Sequence, residues 1–294
     1  MKSAFVAIIG RPSAGKSTLL NKMCAQKVSI VSKVPQTTRN AIRGIVNRKG
    51  IGQLVFIDTP GRHKSGKKFN KKLIDVSNRA LLESDLVLYV IDSTRGAGQE
   101  EEEIARLLEP LPEKTVTALN KIDSLAADIE KSKEFILKSL PLITDDKIIA
   151  VSALTGQGVE DILSALFSMA GEGEAFYGAE YYTDQETEFR ICEIIREQAI
   201  TRLRQELPHS IYVEIADMEF KEEKLWVRAF IIVERESQKG MVVGKGGEMI
   251  KAIRTGALKN LKTIFDYHID LDLRVKTGKD WRHNDSTLRK IIER

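Results

Sequence analysis

The sequence predicts an α/β fold, a mostly parallel sheet with helices on both faces, followed by a second, smaller α+β domain. Short apolar runs at 4–9, 53–57, 86–91, 115–119 and 148–151 alternate with helix-like patterns around 17–24, 70–83, 99–109, 128–139 and 159–169. Runs without strict alternation suit strands covered on both faces. A glycine-bracketed loop joins the first run to the first helix. Helical patterning stops at Met169, and a stretch rich in glycine, acids and tyrosine precedes a new amphipathic run from Glu186. The expected division is residues 1–170, a linker at 171–185, and a second domain at 186–294.

A chain of 294 residues, 42% apolar and 30% charged, is long enough for two ordinary cores. Its net charge of +4 argues against a general polyanion-binding surface, so any nucleic-acid contact must come from local patches. Cys24 and Cys192 are far apart, and His63, His209, His268 and His283 are scattered, so no metal-ligand spacing is present. No stretch is apolar for long enough to span a bilayer, and residues 1–4 run into a core strand without a cleavable signal. A cytoplasmic location is expected.

The first loop reads Gly10, Arg11, Pro12, Ser13, Ala14, Gly15, Lys16, Ser17, then Thr18. In such a G-x-x-x-x-G-K-S loop the glycines turn backbone N–H groups around a polyphosphate, and the following helix N-terminus adds partial positive charge. Lys16 would bridge the outer phosphates, and the Ser17 hydroxyl would reach Mg²⁺. Pro35, Gln36, Thr37, Thr38 and Arg39 form a polar loop before an edge strand at 41–47. A threonine there, with Thr38 preferred over Thr37, would complete the Mg²⁺ shell only while a γ-phosphate is present. The run 54–57 ends in Asp58, Thr59, Pro60 and Gly61. Asp58 is placed to hold Mg²⁺ through water, and Gly61 can bring its N–H against the γ-phosphate.

After 115–119 come Asn120, Lys121, Ile122 and Asp123. One carboxylate can accept both the N1–H and the 2-amino group of guanine, whereas adenine would leave it unsatisfied. Asn120 can brace neighbouring loops, and the Lys121 stem can lie over the ring. A helix cap by Asn or Asp is the bland alternative. Ser152, Ala153 and Leu154 end the last run, where the Ala153 N–H can reach guanine O6.

Residues 10–17, Thr38, 58–61, 120–123 and 152–154 resemble, in order and spacing, the five guanine-nucleotide motifs of translation-factor-class GTPases, across roughly residues 4–170. The resemblance implies a P-loop GTPase domain with GTP or GDP and Mg²⁺ as ligands, Ser17, Thr38 and Asp58 at the metal, and Lys16, Thr38 and Gly61 around the reacting phosphate. Two departures bear on mechanism. Arg62 stands where Ras-like GTPases carry a water-orienting glutamine, so that route is closed. Ser13 stands where many bacterial relatives carry an asparagine that helps seat potassium. Slow intrinsic turnover is expected. Residues 62–72 form a basic stretch, favoured as a solvated loop, with RNA phosphate contact as the sharper alternative.

The second half begins with helical spacing of Phe189, Ile191, Ile194, Ile195, Ala199 and Leu203, followed by strand-like 210–215 and 224–234. Gly244, Lys245, Gly246 and Gly247 then join two helical patterns before a strand at 268–275. A glycine-x-x-glycine turn of this kind lets backbone approach nucleotide phosphates, as KH modules do. Between 239 and 262, Lys239, Lys245, Lys251, Arg254, Lys259 and Lys262 face the single acid Glu248. Lys239, Gly244, Lys245, Gly246, Gly247, Lys251 and Arg254 are the candidate RNA-binding residues.

The whole chain is similar to the Era family of bacterial GTPases, a P-loop GTPase followed by a KH-like domain. That resemblance implies a cytoplasmic, monomeric GTPase that binds near the 3′ end of small-subunit ribosomal RNA and assists 30S subunit assembly, with peripheral membrane association in some members. Two alternatives stay open on the residues alone. The C-terminal half could be a protein- or membrane-association module without RNA binding, and an ATP-using kinase is disfavoured by Asp123.

Overall fold

The buried strands of the first half are rich in Val, Ile and Leu, and their side chains are covered from both sides. The computed structural model describes residues 1–35, 37–61, 68–204 and 207–292. Gln36, Arg62 and residues 62–67 of the basic stretch lie outside them. The chain divides into two compact units, one formed by Met1–Ser29 with Thr38–Asp184, the other by Ile30–Thr37 with Gln185–Arg294.

The first unit runs β1 (Lys2–Ile9), α1 (Lys16–Met23), β2 (Ile42–Arg48), β3 (Gly52–Asp58), α2 (Lys68–Glu83), β4 (Leu86–Asp92), α3 (Gln99–Leu108), β5 (Thr115–Asn120), α4 (Ile129–Ser139), β6 (Ile148–Val151), α5 (Val159–Met169) and β7 (Gly171–Glu172). The strand order is β2-β3-β1-β4-β5-β6, with β7 paired to the start of β1. In this sheet, among the described residues, only β2 and β7 are antiparallel to their partners. Leu81, Ile104, Leu108 and Ile136 of α2, α3 and α4 pack with Val87, Tyr89 and Ile91 of β4. On the remaining strands α1 lies against β3, and α5 against β5 and β6. A parallel sheet covered in this way gathers the carboxyl ends of β1, β3, β4, β5 and β6 on one rim, where ligands of such folds bind.

Residues 171–184 are hydrogen-bonded to this unit. Gln53, fully buried, donates from Nε2 to Asn47 Oδ1 and the Tyr177 carbonyl (both 2.8 Å), and its Oε1 accepts from Phe176 N (2.8 Å) and Tyr177 N (3.0 Å). Ile45 N–H donates to the Tyr182 carbonyl at 2.9 Å, and Thr183 Oγ1 to the Arg43 carbonyl at 2.7 Å. The segment thereby covers the edge of β2. Gln53→Ala would remove the side-chain acceptor of the part-buried amides at 176 and 177, at a cost of about 2 kcal/mol. The expected result is a lower urea midpoint and faster hydrogen exchange at Phe176 and Tyr177, with β4 and β5 still protected.

The second unit contains α6 (Thr187–Arg202), α7 (Leu207–Ser210), β8 (Tyr212–Lys221), β9 (Lys224–Val233), α8 (Glu236–Val243), α9 (Glu248–Leu261), β10 (His268–Thr277) and α10 (Asp285–Ile292). Its sheet has the order β10-β9-β8, with β10 parallel and β8 antiparallel to β9. Alternate residues Leu225, Val227, Ala229, Ile231 and Val233 share a core with Ile191, Ile195, Ile253 and Ala257 of α6 and α9. Trp281, 2% exposed, donates from Nε1 to the Ser210 carbonyl at 3.0 Å. Residues 30–37 belong here: Val31 N–H donates to Glu197 Oε1 (2.9 Å), and Arg196 Nη2 to the Thr37 carbonyl (2.7 Å). Among the described residues no helix is long and apolar enough to cross a membrane.

Candidate functional site

Close packing imposes the glycines of the loop between β1 and α1. A Cβ on Gly10 would stand 2.5 Å from the Val90 carbonyl oxygen, and one on Gly15, whose φ is +98°, would stand 2.3 Å from Asn120 Nδ2. Neither position admits a side chain. Ser13 also holds a positive φ of 63°, a conformation that persists at functional sites when the surroundings enforce it. Arg11 is buried, with Nη2 2.7 Å from Asp92 Oδ2 and Nε 2.5 Å from Glu101 Oε1. Pro12, Ala14 and Thr18 complete the turn, Ala14 being fully buried.

Lys16 is 6% exposed and donates from Nζ to the carbonyls of Gly10 and Arg11, both at 2.9 Å. Burial lowers its pKa to about 8, against the opposing pull of Asp58. An ammonium so enclosed favours any anion that enters the loop. Beside it, Ser17 Oγ lies 2.6 Å from Asp58 Oδ2 and 3.0 Å from Thr38 Oγ1, and Ser29 Oγ donates to the same Asp58 oxygen at 2.9 Å. Thr37 turns elsewhere, donating from Oγ1 to the Val34 carbonyl at 2.6 Å. Burial raises the pKa of Asp58 against Lys16 and its hydroxyl partners, and its buried Oδ1 has no hydrogen-bond partner. Two hydroxyls and a carboxylate with a spare oxygen are the hard donors that Mg²⁺ takes, so these residues fit that ion. Thr59 Oγ1 donates to the Ile8 carbonyl at 2.8 Å, and Gly61 follows Pro60 so close to the loop that a Cβ would stand 2.7 Å from Pro12 Cα.

Asn120 ties the next two motifs together. Its Nδ2 donates to the Ala14 carbonyl at 2.8 Å, and its Oδ1 accepts from Ala153 N–H at 3.0 Å. Asp123 is exposed and accepts from Ser152 Oγ at 2.5 Å, and Leu154 is 73% exposed. The five sequence motifs thus meet on the rim of one sheet.

In the second unit the turn between α8 and α9 has positive φ at Gly244 (76°), Gly246 (59°) and Gly247 (81°). A Cβ on Gly244 would stand 2.7 Å from Met249 Cβ, whereas one on Gly246 or Gly247 would meet nothing within 4 Å. The backbone there is open to a close ligand. Lys245 and Lys251 are exposed, Lys239 Nζ lies 3.3 Å from Glu236, and Arg254 Nε donates to the Leu271 carbonyl at 2.5 Å.

Residues 5–121 match the 50S ribosome-binding GTPase family, and residues 206–282 the KH domain family. GTPase Era of Treponema denticola is 52% identical over 293 residues, covering 99% of both chains. The chain belongs to the Era GTPase family. GTPase Era of Borreliella burgdorferi is 44% identical over 292 residues, covering 99% of this chain and 100% of that one. A solved Aquifex aeolicus Era variant bound to GDP and AlF4⁻ aligns with a TM-score of 0.94 at 32% identity, over 99% of each chain. An Era solved with MgGDPNP and nucleotides 1506–1542 of 16S ribosomal RNA has the same TM-score and identity, over 99% of this chain and 98% of that one.

In this Era-family chain several site residues escaped the sequence motifs. Ser29 carries no local signal, because the Asn21 side chain sets its position by accepting from Val28 N–H and Ser29 N–H (both 2.8 Å). Asp92 and Glu101 hold Arg11 from β4 and the first turn of α3. Asp92 alone had a sequence cue, since it ends a buried strand as Asp58 does.

Proposed function

We propose that this chain hydrolyses GTP on its first unit and, with the glycine turn of the second, clamps the 3′ region of 16S ribosomal RNA during 30S subunit assembly. The observation that carries this reading is that one chain holds both devices along the full length it shares with an Era solved with MgGDPNP and 16S ribosomal RNA nucleotides. Residues 1–170 take the nucleotide role and 186–294 the RNA role, joined through 171–185, and the protein works in the cytoplasm.

On entry of the triphosphate, Lys16 exchanges the carbonyls of Gly10 and Arg11 for the outer phosphate oxygens, and the N–H groups of residues 13–18 surround the β-phosphate. Ser17, Thr38 and Asp58 hold Mg²⁺, which when bound neutralises charge on the β- and γ-phosphates. Gly61 presents its N–H to the γ-phosphate from a position that leaves no room for a side chain. Asp123 takes the guanine N1–H and 2-amino group, Ala153 N–H the O6, and the Lys121 stem the ring face. With no glutamine after Gly61, positioning and fixed donors perform most of the chemistry, and turnover is slow.

Thr38 follows directly on the segment held by Glu197 and Arg196. The bound nucleotide is expected to bias RNA binding by the second unit. RNA affinity is expected to differ about tenfold between the GTP-analogue and GDP states, a typical coupling. Filter binding of a labelled 16S 3′-end oligonucleotide checks it, and equal affinities would leave the two halves uncoupled.

A further inference from the structure

Asp92 closes β4 beside Asn120, its register partner on β5, and it is 5% exposed. Its Oδ2 receives two cations, Arg11 Nη2 at 2.7 Å and Lys121 Nζ at 2.6 Å. Its Oδ1 accepts from Thr94 N–H at 3.0 Å and Thr94 Oγ1 at 2.5 Å. One buried carboxylate thus joins the second residue of the phosphate loop to the lysine beside the base-reading aspartate. Burial alone would raise its pKa, but the bonds from Lys121 and Thr94 outweigh that and hold it below the ordinary carboxylate value.

We infer that Asp92 is a positioning residue for nucleotide binding, fixing the Lys121 stem over the guanine ring and seating Arg11 at the mouth of the phosphate loop. The inference rests on the assignment of Lys121 and Asp123 to the base. Lys121 has a positive φ of 71°, and a non-glycine residue keeps such a backbone only where surrounding contacts over-determine it. The Asp92 bridge supplies that constraint at the Lys121 ammonium. A purely stabilising role accounts for the arrangement less well, because buried ion pairs gain little over apolar packing of the same volume. What they do provide is a defined geometry, and here that geometry falls on two nucleotide motifs.

The test is titration of fluorescent GDP with Asp92→Asn, Lys121→Met, the double variant and Asp92→Glu. Asp92→Asn is expected to weaken GDP about tenfold, the loss of one charge-assisted bond. The KM for GTP should rise by the same factor while kcat changes by less than about twofold. Affinity for inosine diphosphate, which lacks the 2-amino group, should fall in parallel with GDP, since Asp123 reads that edge and Asp92 acts on the ring face. Lys121→Met should reproduce the loss, Asp92→Asn should add little to it, and Asp92→Glu should recover most of the affinity. GDP affinity within twofold of the unaltered protein in Asp92→Asn, or losses that multiply in the double variant, overturns the inference. If Asp123→Asn keeps full guanine preference in the same assay, the base assignment fails and the Asp92 inference falls with it. If Asp123→Asn loses that preference while Asp92→Asn is neutral, only the role of Asp92 fails.

Discussion

An Asp123→Asn protein is expected to bind GTP and GDP about a thousandfold more weakly while folding normally. In the proposed base assignment two donors on guanine meet this carboxylate, and each charge-assisted bond contributes about 2 kcal/mol, so losing the charge costs roughly 4 kcal/mol. Asparagine offers one acceptor and one donor. The N1–H of the base can still be accepted, but the 2-amino group then faces an NH₂, a clash of donors. Xanthine, with an oxygen at that position, presents the complementary edge, so xanthosine diphosphate should bind the variant better than GDP does. Asp123 is exposed, and its protein partner Ser152 Oγ can donate to an amide oxygen as well, so the melting temperature should barely move. Fluorescence titration with guanosine, inosine and xanthosine diphosphates checks the order, and guanine affinity within tenfold of the unaltered protein would remove Asp123 from the base site.

The second large effect is expected from Lys245→Asp combined with Gly246→Asp. Two carboxylates would replace one ammonium and one bare backbone position where phosphates are proposed to sit. RNA affinity at physiological salt should fall at least about a hundredfold, with a shallower salt dependence, because a phosphate contact is lost and like charges are opposed. The fold should survive. A Cβ on Gly246 meets nothing within 4 Å, Lys245 is exposed, and aspartate tolerates the left-handed conformation that Gly246 adopts at φ 59°. GTP hydrolysis without RNA should be unaltered. A variant that still binds the 16S oligonucleotide at wild-type strength would favour a C-terminal half that docks on protein or membrane.

Much of the architecture was legible in local pattern. The apolar runs at 53–57 and 115–119 lie within β3 and β5, and the edge strand expected at 41–47 is β2, displaced by one residue. Such segments are readable because strand pairing and helix burial repeat at short, regular intervals along the chain. The strand expected at 210–215 instead begins at Tyr212 and runs on to Lys221. Met218 and Phe220 are 39% and 58% exposed there, so the extension depends on backbone pairing with β9 beyond a bulge, which leaves no burial pattern to detect. β7 has only two residues and is held by its partner β1 alone, with no propensity of its own.

By itself the sequence determined the alternation of strands and helices, the two glycine turns and the order of the nucleotide motifs, because each is written in neighbouring residues. Tertiary structure alone decided the rest. It set Thr38 within 3.5 Å of Asp58 while Thr37 caps its own turn, brought Ser29 to the same carboxylate, bound 171–184 along β2, and placed 30–37 with the second unit. It also made Asp92 the meeting point of Arg11 and Lys121, residues 81 and 29 positions away. The physical reason is that these contacts join strand ends and loops distant along the chain. Their energies depend on burial and distance, and neither exists until the sheet has formed.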